Sequence, residues 1–451
     1  MRRHYYSEGD MKNSKRTLYS QHIGGSRMAI KMGRSLILAG LIYCLVTSLS
    51  LGATASQEGT EWPCFHGLDR RNKSAETGLL KEWPDEGPEL LWTVSGLGEG
   101  YSSVSIAEGH IYTAGMIEKQ TYVFAFDLNG KRVWKKLNGS SWEATRSHAR
   151  SYTGSRSTPT YYNGVIYHLG DTGRLVALDY KTGEEIWNLE LREVFDAEIP
   201  EYGYSESIYI DGDRLYCSPA GKKGFMACLN KKNGELIWKN TEIQGTVGFS
   251  SPIIAESNGY RQITAISSNS VYGADTETGK LLWSVEFENQ RQNNVADPIF
   301  HDGYVFASSG YGKGSILIKL TASDGKVIPE TVWQTERMDN HHGGVILHNG
   351  YLYGAGHSAK GWFCLDFMTG KQMWNTKGKG SLTYADGMFY LLEEKGKMKL
   401  IKATPEKYDI VSSFEVPEGG KGMHWAHPVV CGGRLYVRHA DKLFAYDIKG
   451  R

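Results

Sequence analysis

The chain has 451 residues, and 51 Lys and Arg against 50 Asp and Glu leave a formal charge of +1. A balance this even excludes a nucleic-acid coat or a polybasic membrane binder, and 40% hydrophobic with 22% charged residues excludes general disorder. The 54 glycines, 27 tyrosines and 12 tryptophans, with few long helical patterns, point to an all-β architecture rich in tight turns.

Residues 1–55 read as a leader and signal peptide. Lys31 and Arg34 precede an uncharged apolar run from Leu36 to Leu51, and Ala53 and Ala55 form a small-residue cleavage signal, with the cut predicted after Ala55. The run is short for a membrane span, so no span is expected after cleavage, an uncleaved anchor being the alternative. Met28 or Met32 would give a more ordinary start, and the bulky Tyr43 before Cys44 argues against a lipid-attachment site. The expected location is periplasmic or secreted. Five cysteines then remain, Cys64, Cys217, Cys228, Cys364 and Cys431, without CxxC spacing. They read as small buried strand residues. Closure of Cys217 with Cys228 across neighbouring strands is left open.

Residues 56–88 form an N-terminal extension, and 89–451 are one repeat. A turn with Asp or Asn and Gly recurs ahead of a tryptophan. Asp127 and Gly130 precede Trp134, Asp179 and Gly183 precede Trp187, and Asn230 and Gly234 precede Trp238. Asp275 and Gly279 then precede Trp283, Asp324 and Gly325 precede Trp333, and Asp366 and Gly370 precede Trp374. The spacing suits propeller blades rather than thin solenoid coils. Within a unit, four short strands with glycine turns predict one antiparallel blade. The Asp side chain can bond turn amides while Gly accepts positive φ, and the flat Trp can cover the gap between blades. Phe414 stands at the seventh position, and the last unit lacks a fourth strand, which Glu89 to Trp92 can supply from the other end. The expectation is an eight-bladed β-propeller of four-stranded blades, closed by N- and C-terminal strands sharing one blade; seven blades is the alternative.

These residues resemble the PQQ-like β-propeller repeat family, from about Trp62 to Arg451, and the stretches around Trp62 and Trp83 resemble the start of secreted bacterial members. The resemblance is specific for fold, and a fold hosts many activities. It implies two roles. In the BamB-like branch, the propeller is a cofactor-free scaffold that binds partner proteins. In the quinoprotein dehydrogenases, eight blades hold pyrroloquinoline quinone (PQQ) over calcium, with an Asp as base and a disulfide of adjacent cysteines against the quinone. This chain has no adjacent Cys pair. Calcium needs several converging oxygen ligands, for which Glu206, Asn293, Asn294 and Asp297 are the candidates. The preferred reading is a non-catalytic propeller binding a partner protein, polymer or small ligand through its funnel. The second is a PQQ-dependent alcohol or sugar dehydrogenase, and a glycan-active hydrolase is a third, without an identifiable carboxylate pair.

In a propeller, ligands gather where the segments before each first strand meet the central channel. Those segments carry Arg156, Tyr204 and Glu206, Asn294 and Asp297, the pair His341 and His342, and His424 with His427. All but Asp297 are candidate ligand contacts; Asp297, His341 and His342 are the candidate catalytic groups. Each also has an ordinary reading: Arg156 and Glu206 as an inter-blade ion pair, Asp297 as a cap for turn amides, the histidines as structural hydrogen bonders. Neighbouring His341 and His342 face opposite ways in a regular strand, and a metal would need a third ligand such as His427 or His148. No phosphate loop, HExxH motif or Ser-His-Asp order is present.

Overall fold

The computed structural model describes residues 61–144, 147–291 and 293–450. The leader expectation for residues 1–55 lies outside them, as does the side chain of His148. The chain forms eight four-stranded antiparallel sheets. In the second blade the strands are Thr160–Tyr162, Val165–Leu169, Arg174–Asp179 and Glu185–Glu190, paired in that order. First strands of neighbouring blades adjoin around the channel. In the eighth blade Val429–Cys431, Arg434–His439 and Lys442–Asp447 come from the C-terminus, and Leu90–Val94 adds the fourth strand. Its pairing with Lys442–Asp447 closes the ring at eight and leaves that sheet no open fourth edge.

The repeated turn and tryptophan form one device. Asp179 Oδ1 accepts from the amides of Lys181 (3.0 Å) and Thr182 (2.8 Å), which fixes the hairpin. Ala177 pairs with Trp187 and Leu178 with Glu185, so Ile186 is an extra residue in the fourth strand, a β-bulge that aims the indole at the next blade. There Trp187 Nε1 donates to Lys231 O at 2.8 Å, and the ring lies where a Cβ on Gly234 would come within 2.9 Å. Trp134 repeats this on Tyr180 O and Gly183, and Trp333 on Phe367 O and Gly370. In the seventh blade Phe414 takes the same place against Gly87, just before the closing strand. Trp283 departs: it donates to Gln262 of its own blade. The fifth blade's hairpin has ten-residue strands, Gly314–Ser323 and Lys326–Thr335, which carry its turn out of reach.

All five described cysteines are free and buried. Cys228 and Cys364 sit opposite Trp238 and Trp374, where only a small side chain leaves room for the indole. Cys217 pairs with Ala227 and Cys228 with Tyr216, so the two thiols face opposite sides of the sheet and into separate cores; the bridge left open by the sequence does not form.

The extension is a plug. Trp62 exchanges backbone hydrogen bonds with Ile106 of the first blade (2.8 and 2.7 Å), and Pro63 O accepts from Tyr161 N of the second (2.7 Å). Arg70 donates to the carbonyls of Ser207, at 2.9 Å, and Ile208, at the third blade. Two residues on, Asn72 donates to Leu382 O of the seventh. The third and seventh blades stand opposite in a ring of eight, so residues 70–72 cross the channel. His66, Arg70 and Asn72 take positive φ (67°, 54° and 56°) as the chain folds back within this space.

Candidate functional site

A cavity of about 710 Å³ opens above the plug. Segments preceding first strands line it, as the repeat predicted, with Phe65 and His66 of the plug as further lining. Seven aromatic rings face it: Phe65, Tyr101, Tyr152, Tyr202, Phe249, Tyr311 and Trp425. Tyr152 stacks on Trp425 (centroids 5.3 Å, 14°), and Phe65 on His66 (3.8 Å, 24°).

Histidines organise the floor and one wall. His427 Nε2 donates to His342 O at 2.7 Å. Burial, and then His66 beside it, push the His427 imidazole well below its ordinary value, so it is neutral and its Nδ1 accepts. The donor to that nitrogen is His66 Nε2, at 2.9 Å. His66 Nδ1 lies 3.4 Å from Asp297 Oδ2, an oxygen that no hydrogen bond reaches. Asp297 Oδ1 accepts from Ser251 N at 2.6 Å. On the wall, Glu394 Oε1 receives His342 Nε2 (2.8 Å), Trp425 Nε1 (2.8 Å) and Lys379 Nζ (3.1 Å). Burial opposes the Glu394 charge, but the His342 bond, the Lys379 ammonium and the indole N–H outweigh it and hold the carboxyl well below its usual range. Lys379 also reaches His357 Nδ1 (2.9 Å), and burial lowers His357 to about 4. Burial likewise drives His341 well below its ordinary value. Glu394 is therefore committed to protein partners, whereas Asp297 keeps one oxygen without a hydrogen bond.

Arg156, Asp297, His341, His342 and His427 come together in the lining; Tyr204, Glu206, Asn294 and His424 do not. Tyr204 is fully buried and donates to Pro219 O at 2.8 Å. Ser205 and Ser207 line the cavity, while Glu206 between them is buried away from it and accepts from Ser218 N at 2.6 Å. Arg156 makes no ion pair with Glu206: its guanidinium donates to Gly154 O (3.1 Å) and Tyr152 O. Asn294 is spent on its neighbours, donating to Ser267 O of the fourth blade (2.7 Å) and accepting from Asn289 of its own loop (3.1 Å). His424 stacks on His439 at 3.6 Å. Phe65 and His66 were not foreseen, because they fall outside the repeat phase; their signal is the aromatic cluster of Trp62, Phe65 and His66 directly after the predicted leader.

Burial raises Glu206 from 4.5 to about 7. The folded state then holds a proton that the unfolded state has lost between those values, so stability falls as pH rises through that window, by roughly 3 kcal/mol. In Glu206→Gln the amide oxygen keeps the Ser218 bond without a charge to bury. Urea denaturation at about pH 4 and pH 8, on either side of that window, is expected to show the fall in the parent and its absence in the variant.

The calcium-held quinone implied by the resemblance does not fit this donor set. Calcium takes about six to eight oxygens. Of the four candidates, the Asn294 carbonyl is spent on Asn289 and Ser309, and Asn293, Glu206 and Asp297 each keep one oxygen without a hydrogen bond, fewer than the ion takes. Among the described residues, no three His, Cys, Asp or Glu gather as a metal set.

The chain belongs to a propeller family: the family model described as "Outer membrane protein assembly factor BamB" matches residues 119–376. It is 25% identical to the outer membrane protein assembly factor BamB of Shewanella oneidensis, over 40% of this chain and 45% of that protein. It is 24% identical to the quinoprotein alcohol dehydrogenase PedH of Pseudomonas putida, over 63% of this chain and 46% of that protein. In fold it resembles a europium-containing methanol dehydrogenase, with TM-score 0.59, 12% identity, and coverage of 84% of this chain and 89% of that one. The chain spans about half the length of the curated relatives it matches. Among the described residues no helix is long and apolar enough to cross a membrane.

Proposed function

We propose that this chain is an exported, periplasmic or secreted, non-catalytic propeller that binds a partner protein, polymer or small ligand at its funnel. The observation that carries this reading is the commitment of Glu394 to His342, Trp425 and Lys379, with Asp297 held by Ser251 N and facing His66. That commitment leaves an aromatic binding cavity without a hard-oxygen cage. Membership of the BamB family supports a binding role at the cell envelope. The match to a quinoprotein alcohol dehydrogenase over 63% of the chain favours a second reading, a PQQ-dependent alcohol or sugar oxidoreductase. There the quinone would take the hydride and Asp297 or a histidine the hydroxyl proton. Dye-coupled oxidation of alcohols and sugars by folded protein given PQQ and Ca²⁺ separates them. No PQQ-dependent turnover is expected; turnover that saturates with substrate would replace the first reading by the second.

A further inference from the structure

Among the charged groups that line the cavity, Arg156 has donors to spare. The Arg156 guanidinium lies between the rings of Tyr101 (5.6 Å) and Trp142 (5.5 Å) and donates to two backbone carbonyls, Gly154 O and Tyr152 O. A guanidinium has five N–H donors in a planar fork. No carboxylate among the described residues pairs with this one, although it is half-buried. Asp297 and Glu394, which share the cavity, are paired elsewhere. Asp171 is the nearby counter-charge but spends its oxygens on Thr121, Ser141 and Trp142 N. A carboxylate in direct contact completes a partly desolvated guanidinium best, through two parallel N–H···O bonds.

The surroundings describe the rest of the ligand. The stacked Tyr152 and Trp425 give a flat wall for a ring. The hydroxyls of Ser205 and Ser207 line the same space, so hydroxyl groups on the ring can be satisfied too.

Resting on the reading of the funnel as a non-catalytic binding site, we infer that Arg156 anchors a carboxylate carried on a six-membered ring, bound without a metal ion. A hexuronic acid and a hydroxylated aromatic acid share that chemistry, and the test separates them.

The experiment is calorimetric titration of the purified full chain with galacturonate, trigalacturonate and 4-hydroxybenzoate. Galactose and 4-hydroxybenzyl alcohol serve as uncharged counterparts. The expected result is saturable one-to-one binding of at least one acid, about tenfold or more tighter than its uncharged counterpart, as a charge-assisted pair requires. Binding of the galacturonates assigns a sugar acid, and binding of 4-hydroxybenzoate an aromatic one. Arg156→Gln is expected to weaken the acid by about tenfold or more and to leave the uncharged counterpart unmoved. Arg156→Lys keeps the charge without the fork and is expected to fall between; it serves if the Gln variant does not fold. Folded protein that binds none of the acids at about millimolar concentration, that binds acid and counterpart equally, or whose Arg156 variants bind as the parent does, overturns the inference. Such a failure leaves the non-catalytic reading intact, since that reading falls only on PQQ-dependent turnover or on quinone binding with calcium.

Discussion

Gly183→Ala is expected to destabilise the propeller by about 3–4 kcal/mol, well beyond Gly259→Ala, at about 1–2 kcal/mol. Both glycines hold positive φ, +70° and +78°, so both substitutions strain the backbone alike. They differ in what a Cβ would meet. At Gly259 nothing lies within 4 Å, whereas at Gly183 the new carbon falls 2.8 Å from Trp134 Cδ2. The indole cannot retreat cheaply, because its Nε1 donates to Tyr180 O at 2.9 Å and its ring is buried in the seam between the first and second blades. The difference between the two variants therefore isolates the interlock of tryptophan and glycine between blades. Urea midpoints of the two variants measure it. Equal losses would mean that the repeated glycine serves only its own turn and does not hold blade to blade.

Arg70→Ala is expected to cost about 3 kcal/mol and to loosen the plug. Arg70 is 7% exposed, lies over the Tyr209 ring at 4.8 Å, and satisfies the carbonyls of Ser207 and Ile208. Truncation leaves Ser207 O buried without a donor, at about 1–3 kcal/mol when no water reaches it. It also removes one of two donors from Ile208 O, which Thr160 Oγ1 still reaches at 2.9 Å, and loses the contact with the Tyr209 ring. The consequence extends to function, because the same segment carries Phe65 and His66 into the cavity. Limited proteolysis is expected to cut the variant within residues 61–74 while the blades resist, since Arg70 is the segment's hydrogen-bonded tie to the third blade. A variant as resistant as the parent there would show that Asn72 and the exchange between Trp62 and Ile106 suffice to seat the plug. Arg70→Lys is expected to recover little, because an ammonium cannot span two carbonyls as the fork does.

The eight blades were legible because each carries its own local instruction. Asp179 and Gly183 fix a hairpin, and Trp187 then meets the next hairpin, so the pattern recurs wherever a blade does. Phe414 and the closing strand at Trp92 were legible as the two places where that pattern must be completed differently. The segments lining the channel could be found for the same reason, since their phase in the repeat is fixed. The plug could not. It occurs once, and its partners are remote in sequence: Asn72 bonds Leu382, and His66 bonds His427. No spacing in the chain announces such pairs. The pairing of Arg156 with Glu206 failed for a local reason. Ser205 and Ser207 take the channel side, which turns Glu206 into the interior, where Ser218 N partners it. The expectation that His341 and His342 face apart fails: they lie in a bend, both line the cavity with ring centroids 5.2 Å apart, and they take different partners, Tyr311 at 3.4 Å and Glu394 at 2.8 Å.

The most direct test of a binding cavity without a quinone cage is calorimetric titration of the folded protein with PQQ in the presence of Ca²⁺. The account predicts no calcium-dependent heat and no saturation, because Asn293, Glu206 and Asp297 offer only one unpartnered oxygen each, against the about six to eight that the ion takes. Saturable one-to-one binding that requires calcium, at about micromolar affinity or tighter, would contradict it and make the funnel a quinoprotein active site.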